Sequence, residues 1–232
     1  MAERITPADI GALGVLAILT EAPNHPYGVA QQLRMRYRTE AESHTPRSIY
    51  RAIERLAKEG LIEVEETQRE GHRPERTVYR STDEGRSHLR YQLTEFLSDP
   101  GRGPAAFEAA VARMGYLSEP EAATALRVRL AALNGLVAQL GAVQSSLRDQ
   151  VHLPRIVQLE VEWRLRLLQA EQGFTADTLS ALESGELDVG EEWLTWLARV
   201  GAKLPDLTGM SRDEVPLVMR PRAIHVEETH GQ

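Results

Sequence analysis

The stretch Thr45-Pro46-Arg47-Ser48-Ile49-Tyr50-Arg51-Ala52-Ile53-Glu54-Arg55-Leu56-Ala57-Lys58-Glu59-Gly60 decides the fold. Thr followed by Pro is the N-cap and first-turn signature of a helix start. Gly60 is the residue type that ends a helix. At about 100° per residue, with Ile49 at zero, Ile53 falls at about 40° and Leu56 at about −20°. Arg47, Lys58 and Arg51 fall at about 160°, 180° and 200°, Arg55 at about 240°, and Tyr50 at about 100° on the border. One side of this helix is apolar and the other basic. A helix that reads a DNA groove needs this division, with one face anchored in a core and the other presenting donors. An amphipathic surface helix with a solvated basic face shows the same pattern, so the flanking elements have to decide.

Upstream, Leu13, Val15, Leu16, Ile18 and Leu19 predict a buried helix over about residues 10–20, which Pro23-Asn24-His25-Pro26 breaks. A second helix over about 27–37 turns Val29, Ala30 and Leu33 inward. Downstream, Leu61-Ile62-Glu63-Val64-Glu65 and Arg76-Thr77-Val78-Tyr79-Arg80 flank a polar turn and read as a β-hairpin. Thr82-Asp83-Glu84 caps a fourth helix to about residue 97, with acidic side chains at its positive end. Helix, helix, helix, hairpin, helix is the order of a winged helix-turn-helix. The hairpin carries a second basic cluster, Arg69, Arg73, Arg76 and Arg80 against Glu70 and Glu75. A wing laid along DNA uses such arginines as phosphate or minor-groove contacts. A mobile charged loop is the bland alternative, and the presence of two basic elements in the required order weighs against it.

The whole chain has 232 residues, enough for one large domain or two small ones at about 100–200 residues each. With 42% hydrophobic and 26% charged residues it reads as an ordinary globular protein. The absence of cysteine removes thiol nucleophiles, cysteine zinc sites and disulfides. His25, His44, His72, His88, His152, His225 and His230 show no metal-ligand spacing, and no glycine-rich phosphate loop appears. Glu191-Glu192 reads as a helix start. The expectation is therefore no enzyme and no cofactor. The longest near-apolar run, residues 10–19, is half the roughly 20 residues a bilayer span requires, and the N-terminus lacks a signal-peptide pattern. A cytoplasmic, nucleoid-associated protein without a membrane partner is expected. The net charge of −7 argues at first against nucleic acid. Its distribution does not: residues 1–98 hold 14 basic and 15 acidic side chains, the remainder 13 and 19. Within 34–58 seven basic residues face three acidic ones, a local positive footprint.

Asp99-Pro100-Gly101-Arg102-Gly103-Pro104 reads as a linker. It separates a winged domain (1–98) from a helical region (105–203), with a weakly ordered tail over 204–232. Helices are expected over about 105–115, about 118–149 (opened by the capping box Ser118-Glu119-Pro120-Glu121), about 154–184 with a bend near Gly173, and about 190–202. Leu126, Leu130, Leu133, Val137 and Leu140 recur at 4-3-4-3 spacing, a coiled-coil-like seam. The helix after Pro154 carries two apolar stripes, Ile156-Leu159-Trp163-Leu167 and Val157-Val161-Leu165-Leu168. Two apolar faces need cover on both sides, and a second copy of the chain is the natural source. The expected dimerisation set is thus Leu126, Leu130, Leu133, Val137, Leu140, Trp163 and Leu167; packing within one chain is the alternative. Trp163, Trp193 and Trp196 read as core or interface packing, with the lining of an effector pocket as the second reading.

The run Leu13-Gly14-Val15-Leu16-Ala17-Ile18-Leu19, then His25-Pro26-Tyr27-Gly28, the stretch 45–62 and the wing Arg73-Pro74-Glu75-Arg76-Thr77-Val78-Tyr79-Arg80-Ser81-Thr82-Asp83-Glu84-Gly85 together resemble PadR-family transcriptional regulators over about residues 10–98. Pro26 departs from the pattern, where relatives often carry Gly. The resemblance implies a mostly α fold with a small β-hairpin wing: an N-terminal winged helix-turn-helix domain and a C-terminal helical dimerisation domain. It also implies DNA contacts by Tyr27, Ser48 and Tyr50, with Arg47 and Arg51 as donors. With the basic face and the wing added, the candidate DNA-binding set is Tyr27, Thr45, Arg47, Ser48, Tyr50, Arg51, Arg55, Lys58, Arg69, Arg73 and Arg76. The expected function is a ligand-responsive repressor that binds a pseudo-palindromic operator as a homodimer. Its partners would be double-stranded DNA, a second copy and a small-molecule effector. The rival is a winged-helix adaptor that binds other proteins and never touches DNA.

Overall fold

A computed structural model of the chain describes residues 7–36, 45–68, 76–149, 153–187, 189–191 and 193–195. Its elements run α1 (Pro7–Glu21), α2 (Pro26–Arg36), α3 (Pro46–Lys58), β1 (Ile62–Gln68), β2 (Arg76–Ser81), α4 (Asp83–Ser98), α5 (Pro104–Val111), α6 (Glu119–Asp149) and α7 (Arg155–Glu183). The fold is mostly helical with a two-stranded antiparallel wing, as the resemblance implies.

Helix α1 is apolar almost all round because it forms the centre of the head, with Val15, Leu16, Ala17 and Ile18 buried between α2, α3 and α4. Helix α3 starts where Thr45 Oγ1 accepts a hydrogen bond from the Ser48 amide at 3.2 Å. It ends in a Schellman motif. Gly60 adopts φ +75°, the Leu61 amide bonds to the Leu56 carbonyl at 2.9 Å, and the Gly60 amide to that of Ala57 at 3.1 Å. Leu61 is thereby delivered to the base of the wing.

In the wing Ile62 pairs with Ser81 and Glu63 with Arg80, and a bulge lies between Val64 and Glu66. Asn24 adds a third rung, with its amide and carbonyl each bonded to Tyr79 at 2.9 Å. The short connection between α1 and α2 is thus tied to the wing. Thr82 locks the other end: its hydroxyl donates to the Gly60 carbonyl at 2.8 Å and accepts from the Gly85 amide at 3.0 Å.

The segment 99–104 forms an ordered turn. Asp99 Oδ1 accepts from the Gly101 amide at 2.7 Å, Arg102 Nη2 lies 2.9 Å from Glu95 Oε2, and Gly103 takes φ +88° to start α5. The apolar core passes straight through it, joining Leu93, Phe96 and Leu97 to Phe107, Ala110, Leu117 and Leu126. Helices α6 and α7 form an antiparallel pair, with Arg127 against Glu183 and Asn134 against Gln172. Helix α7 runs without interruption through Gly173. Of the expected helix over 190–202 only residues 190, 191 and 193–195 are described, and the tail 204–232 lies outside the described residues. Helix α6 is long and apolar enough, by length and composition alone, to cross a bilayer. Here it packs on α4 and α7 instead.

The dimerisation assignment needs correction at its core. Leu126 and Leu133 are completely buried within the single chain, and Leu130 is half-buried against the same core. Val137 and Leu140 are half-buried as well. The heptad seam is occupied by the chain's own α4 and α7, because α7 folds back along it. Periodicity reports that one face of a helix is apolar; it does not report which helix covers that face.

Candidate nucleic-acid interface

On α3 the buried side chains are Ile49, Ala52, Ile53 and Leu56, while Arg47, Tyr50, Arg51, Glu54 and Lys58 are exposed on the other side. Tyr50 is 53% exposed, which places it on the solvent face rather than in the core. Among the described residues no ion pair engages Arg47, Arg51 or Lys58. Their charge is available to an external anion.

Tyr27, at the start of α2, is 67% exposed. Its ring is braced edge-on by His25, with centroids 6.3 Å apart. His25 in turn caps α2, with Nδ1 accepting from the Gly28 amide at 2.8 Å. Gly28 leaves room for this cap, because a Cβ would lie 2.8 Å from the His25 ring and press on the Asn24 side chain, so both would have to shift. This small apparatus explains the run His25-Pro26-Tyr27-Gly28: it presents one aromatic ring at a fixed angle.

Three expected contacts are placed differently. Arg55 Nη1 lies 3.0 Å from Asp9 Oδ1, so its guanidinium turns toward α1 and away from the basic face. Ser48 is half-buried and donates from its hydroxyl to the Thr45 carbonyl at 2.8 Å, so both hydroxyls shape the helix start. In the wing Arg80 is bound by Glu63 and Glu65, each at 2.7 Å, which cancels part of the basic cluster. Arg69 and Arg73 lie outside the described residues. Arg76 is described only as the backbone partner of Gln68 in β2.

Two polar clusters that the sequence reading missed join the head to the helical arm. Glu21 at the end of α1 accepts from Arg36 at 2.6 Å and from the Tyr116 hydroxyl. Arg129, completely buried on α6, reaches α4, α5 and α7 at once. Burial pulls the Arg129 guanidinium pKa down and Glu171 opposes that, but an arginine stays charged. A signal for Arg129 did exist: it lies about 60° from Leu126 on the wheel, a charge inside an apolar seam. Trp193 is half-buried and lies against the turn at Gly115, where any Cβ would meet its indole; that places it in packing rather than in an effector pocket.

A head with one helix anchored inside and basic outside, an aromatic ring at its shoulder and a β-wing at its flank defines the winged helix-turn-helix class of DNA-binding proteins. Residues 15–91, from α1 to α4, match the Transcriptional regulator PadR-like family. This match supports a DNA-binding transcription regulator. The crystal structure of smu.1704 from Streptococcus mutans UA159 is 25% identical over 41% of this chain and 83% of that one, with TM-score 0.33. Bacillus subtilis PadR in complex with operator DNA is 18% identical over 73% and 96%, with TM-score 0.35. The same protein with p-coumaric acid is 16% identical over 75% and 99%, with TM-score 0.33. No curated protein matches the chain.

Proposed function

We propose that the protein is a repressor that acts as a homodimer on a pseudo-palindromic operator. Each copy sets α3 into a major groove, with Tyr27, Tyr50, Arg47, Arg51 and Lys58 toward the DNA and Arg69, Arg73 and Arg76 of the wing on the adjacent backbone. The observation that carries this reading is the division of α3. Four apolar side chains lie in the core, and three cations on the opposite face have no ion pair among the described residues. Two such helices related by a two-fold axis would meet half-sites about 34 Å apart.

For the second copy, α7 offers a stripe of Ile156, Leu159, Trp163 and Leu167, exposed by 74%, 43%, 62% and 49%. Its other face is already packed on α6 through Leu165, Leu179 and Leu182. Large apolar side chains in a row on water are the mark of a contact surface. For the effector, a cleft of about 280 Å³ lies behind α3, floored by Leu13, Leu16, Leu56 and Phe96, with the Asp9–Arg55 pair in its wall. A small amphipathic molecule there would part that pair and shift α3 against α4, which favours release if the shifted form fits DNA less well.

Selection of bound duplexes from a random pool, followed by light scattering, tests the proposal. An enriched inverted repeat bound by two copies is the expected result. No enrichment, with the protein still folded, would favour the adaptor reading.

A further inference from the structure

Arg129 joins four groups that belong to three other helices. Its Nη1 donates to the Phe96 and Leu97 carbonyls of the last turn of α4, both at 3.3 Å. Its Nε donates to Glu171 Oε1 of α7 at 2.8 Å. Its guanidinium carbon stacks 3.8 Å from the centroid of the Phe107 ring of α5. A helix C-terminus attracts a cation, and the planar fork fixes direction as well as distance. Helix α4 is the last element of the head: it touches α1 and seats the wing through Gly85 against Leu61. Helices α6 and α7 form the arm. The guanidinium therefore sits at the one place where the end of the head, the turn into the arm and both long helices come together.

Apolar packing at such a joint resists separation but tolerates small rotations. Hydrogen bonds to two carbonyls and a carboxylate, with the cation stacked on a ring face, do not, because each loses its geometry on rotation. The lever is long. From Glu171 to Ile156 the helix runs 15 residues, about 22 Å at 1.5 Å per residue. A rotation of about 10° at Arg129 would thus shift the exposed stripe at the far end by about 4 Å, more than the 3.4 Å between base pairs.

We infer that Arg129 is a positioning residue for operator recognition: it fixes the angle between the DNA-reading head and the arm, and so the half-site spacing that the protein accepts. The inference rests on the homodimer reading above. Arg129 is buried in the subunit and is itself no DNA contact.

The test uses the full chain and the operator found by selection, with the spacer between half-sites lengthened or shortened by one and two base pairs. The main variant is Arg129→Met with Glu171→Leu, which replaces the buried pair by apolar side chains of similar size and leaves no lone charge. A second variant, Arg129→Lys, keeps the charge and loses the fork. The wild type should prefer one spacing by about tenfold, a difference of the size one mismatched pair causes. Both variants should remain dimers by light scattering and bind a single half-site like the wild type. Their preference among spacings should flatten to within about twofold, the size of ordinary non-additivity. A folded variant that keeps the wild-type spacing preference would overturn the inference. So would equal loss of affinity for every duplex, single half-sites included, because that is the signature of a merely structural arginine. A wild type that is monomeric, or indifferent to spacing, would remove the homodimer reading and this inference with it.

Discussion

Arg51 and Arg55 lie one turn apart on α3, and the structure separates their roles. Arg51 is exposed in the middle of the basic face, whereas Arg55 is turned toward Asp9. Arg51→Ala should therefore weaken operator binding strongly. If the guanidinium meets a phosphate, removing it from both copies lowers the slope of log affinity against log salt by about 1.8, from roughly 0.9 per contact. If it meets a guanine edge instead, the slope holds and the loss is about 1–3 kcal/mol per half-site. Arg55→Ala should do neither. Its pair with Asp9 is half-exposed on both sides, at 41% and 43%, so it contributes about 0–1 kcal/mol to stability and little to DNA affinity. Fluorescence anisotropy of both variants on the selected operator, across a salt series, reads slope and affinity together. Equal slope changes for the two variants would refute the reasoning, since Arg55 would then leave Asp9 for the DNA. An unchanged Arg51→Ala would remove α3 from the groove altogether.

Three further outcomes are expected. Leu133→Ala should cost about 2–5 kcal/mol of subunit stability in urea, because the side chain is fully buried, whereas Leu167→Ala should change it by about 0.5 kcal/mol or less and instead weaken self-association in sedimentation. Gly85→Ala should cost about 1–3 kcal/mol or more and lower the melting temperature, because the new Cβ meets the Leu61 carbonyl, a backbone atom that cannot move aside. Ser118→Ala should cost about 1 kcal/mol at neutral pH, because its hydroxyl no longer donates to Glu121 Oε2 at 2.7 Å. The same substitution should blunt an acid transition. Burial would raise the Glu121 carboxyl pKa, but the Ser118 side-chain and backbone hydrogen bonds and the charge of Arg90 outweigh it and hold it below the ordinary value. The stability this carboxylate adds is therefore present above about pH 4.3 and is lost as the pH falls through the lowered value. Urea melts of wild type and variant should converge toward acid pH; a constant gap would remove Glu121 from the account.

The winged order and the divided face of α3 were legible in the residues themselves. Thr45, Pro46 and Gly60 act on backbone groups within one turn, and the alternation of Ile49, Ile53 and Leu56 with Arg47 and Arg51 follows from the pitch of a single helix. The start of α4 was legible for the same reason, since the Thr82 hydroxyl accepts from the Gly85 amide three residues on. Such features depend on separations of a few residues, where the chain has almost no freedom once the helix or hairpin forms.

Choice of partner was a different matter. The seam of Leu126 and Leu133 announced an apolar face, but whether a second copy or the chain's own α7 would cover it depended on a fold-back decided some 30 residues later. Asp9 captures Arg55 from 46 residues away, and Arg129 finds Phe96, Phe107 and Glu171 on three helices. The sequence by itself determined which elements form and which of their faces are apolar or charged, because these are local properties of backbone and pitch. Only the tertiary structure decided which charges stay exposed, which leucines remain uncovered and what holds the head to the arm, because long-range contacts are selected by the packing of the whole chain.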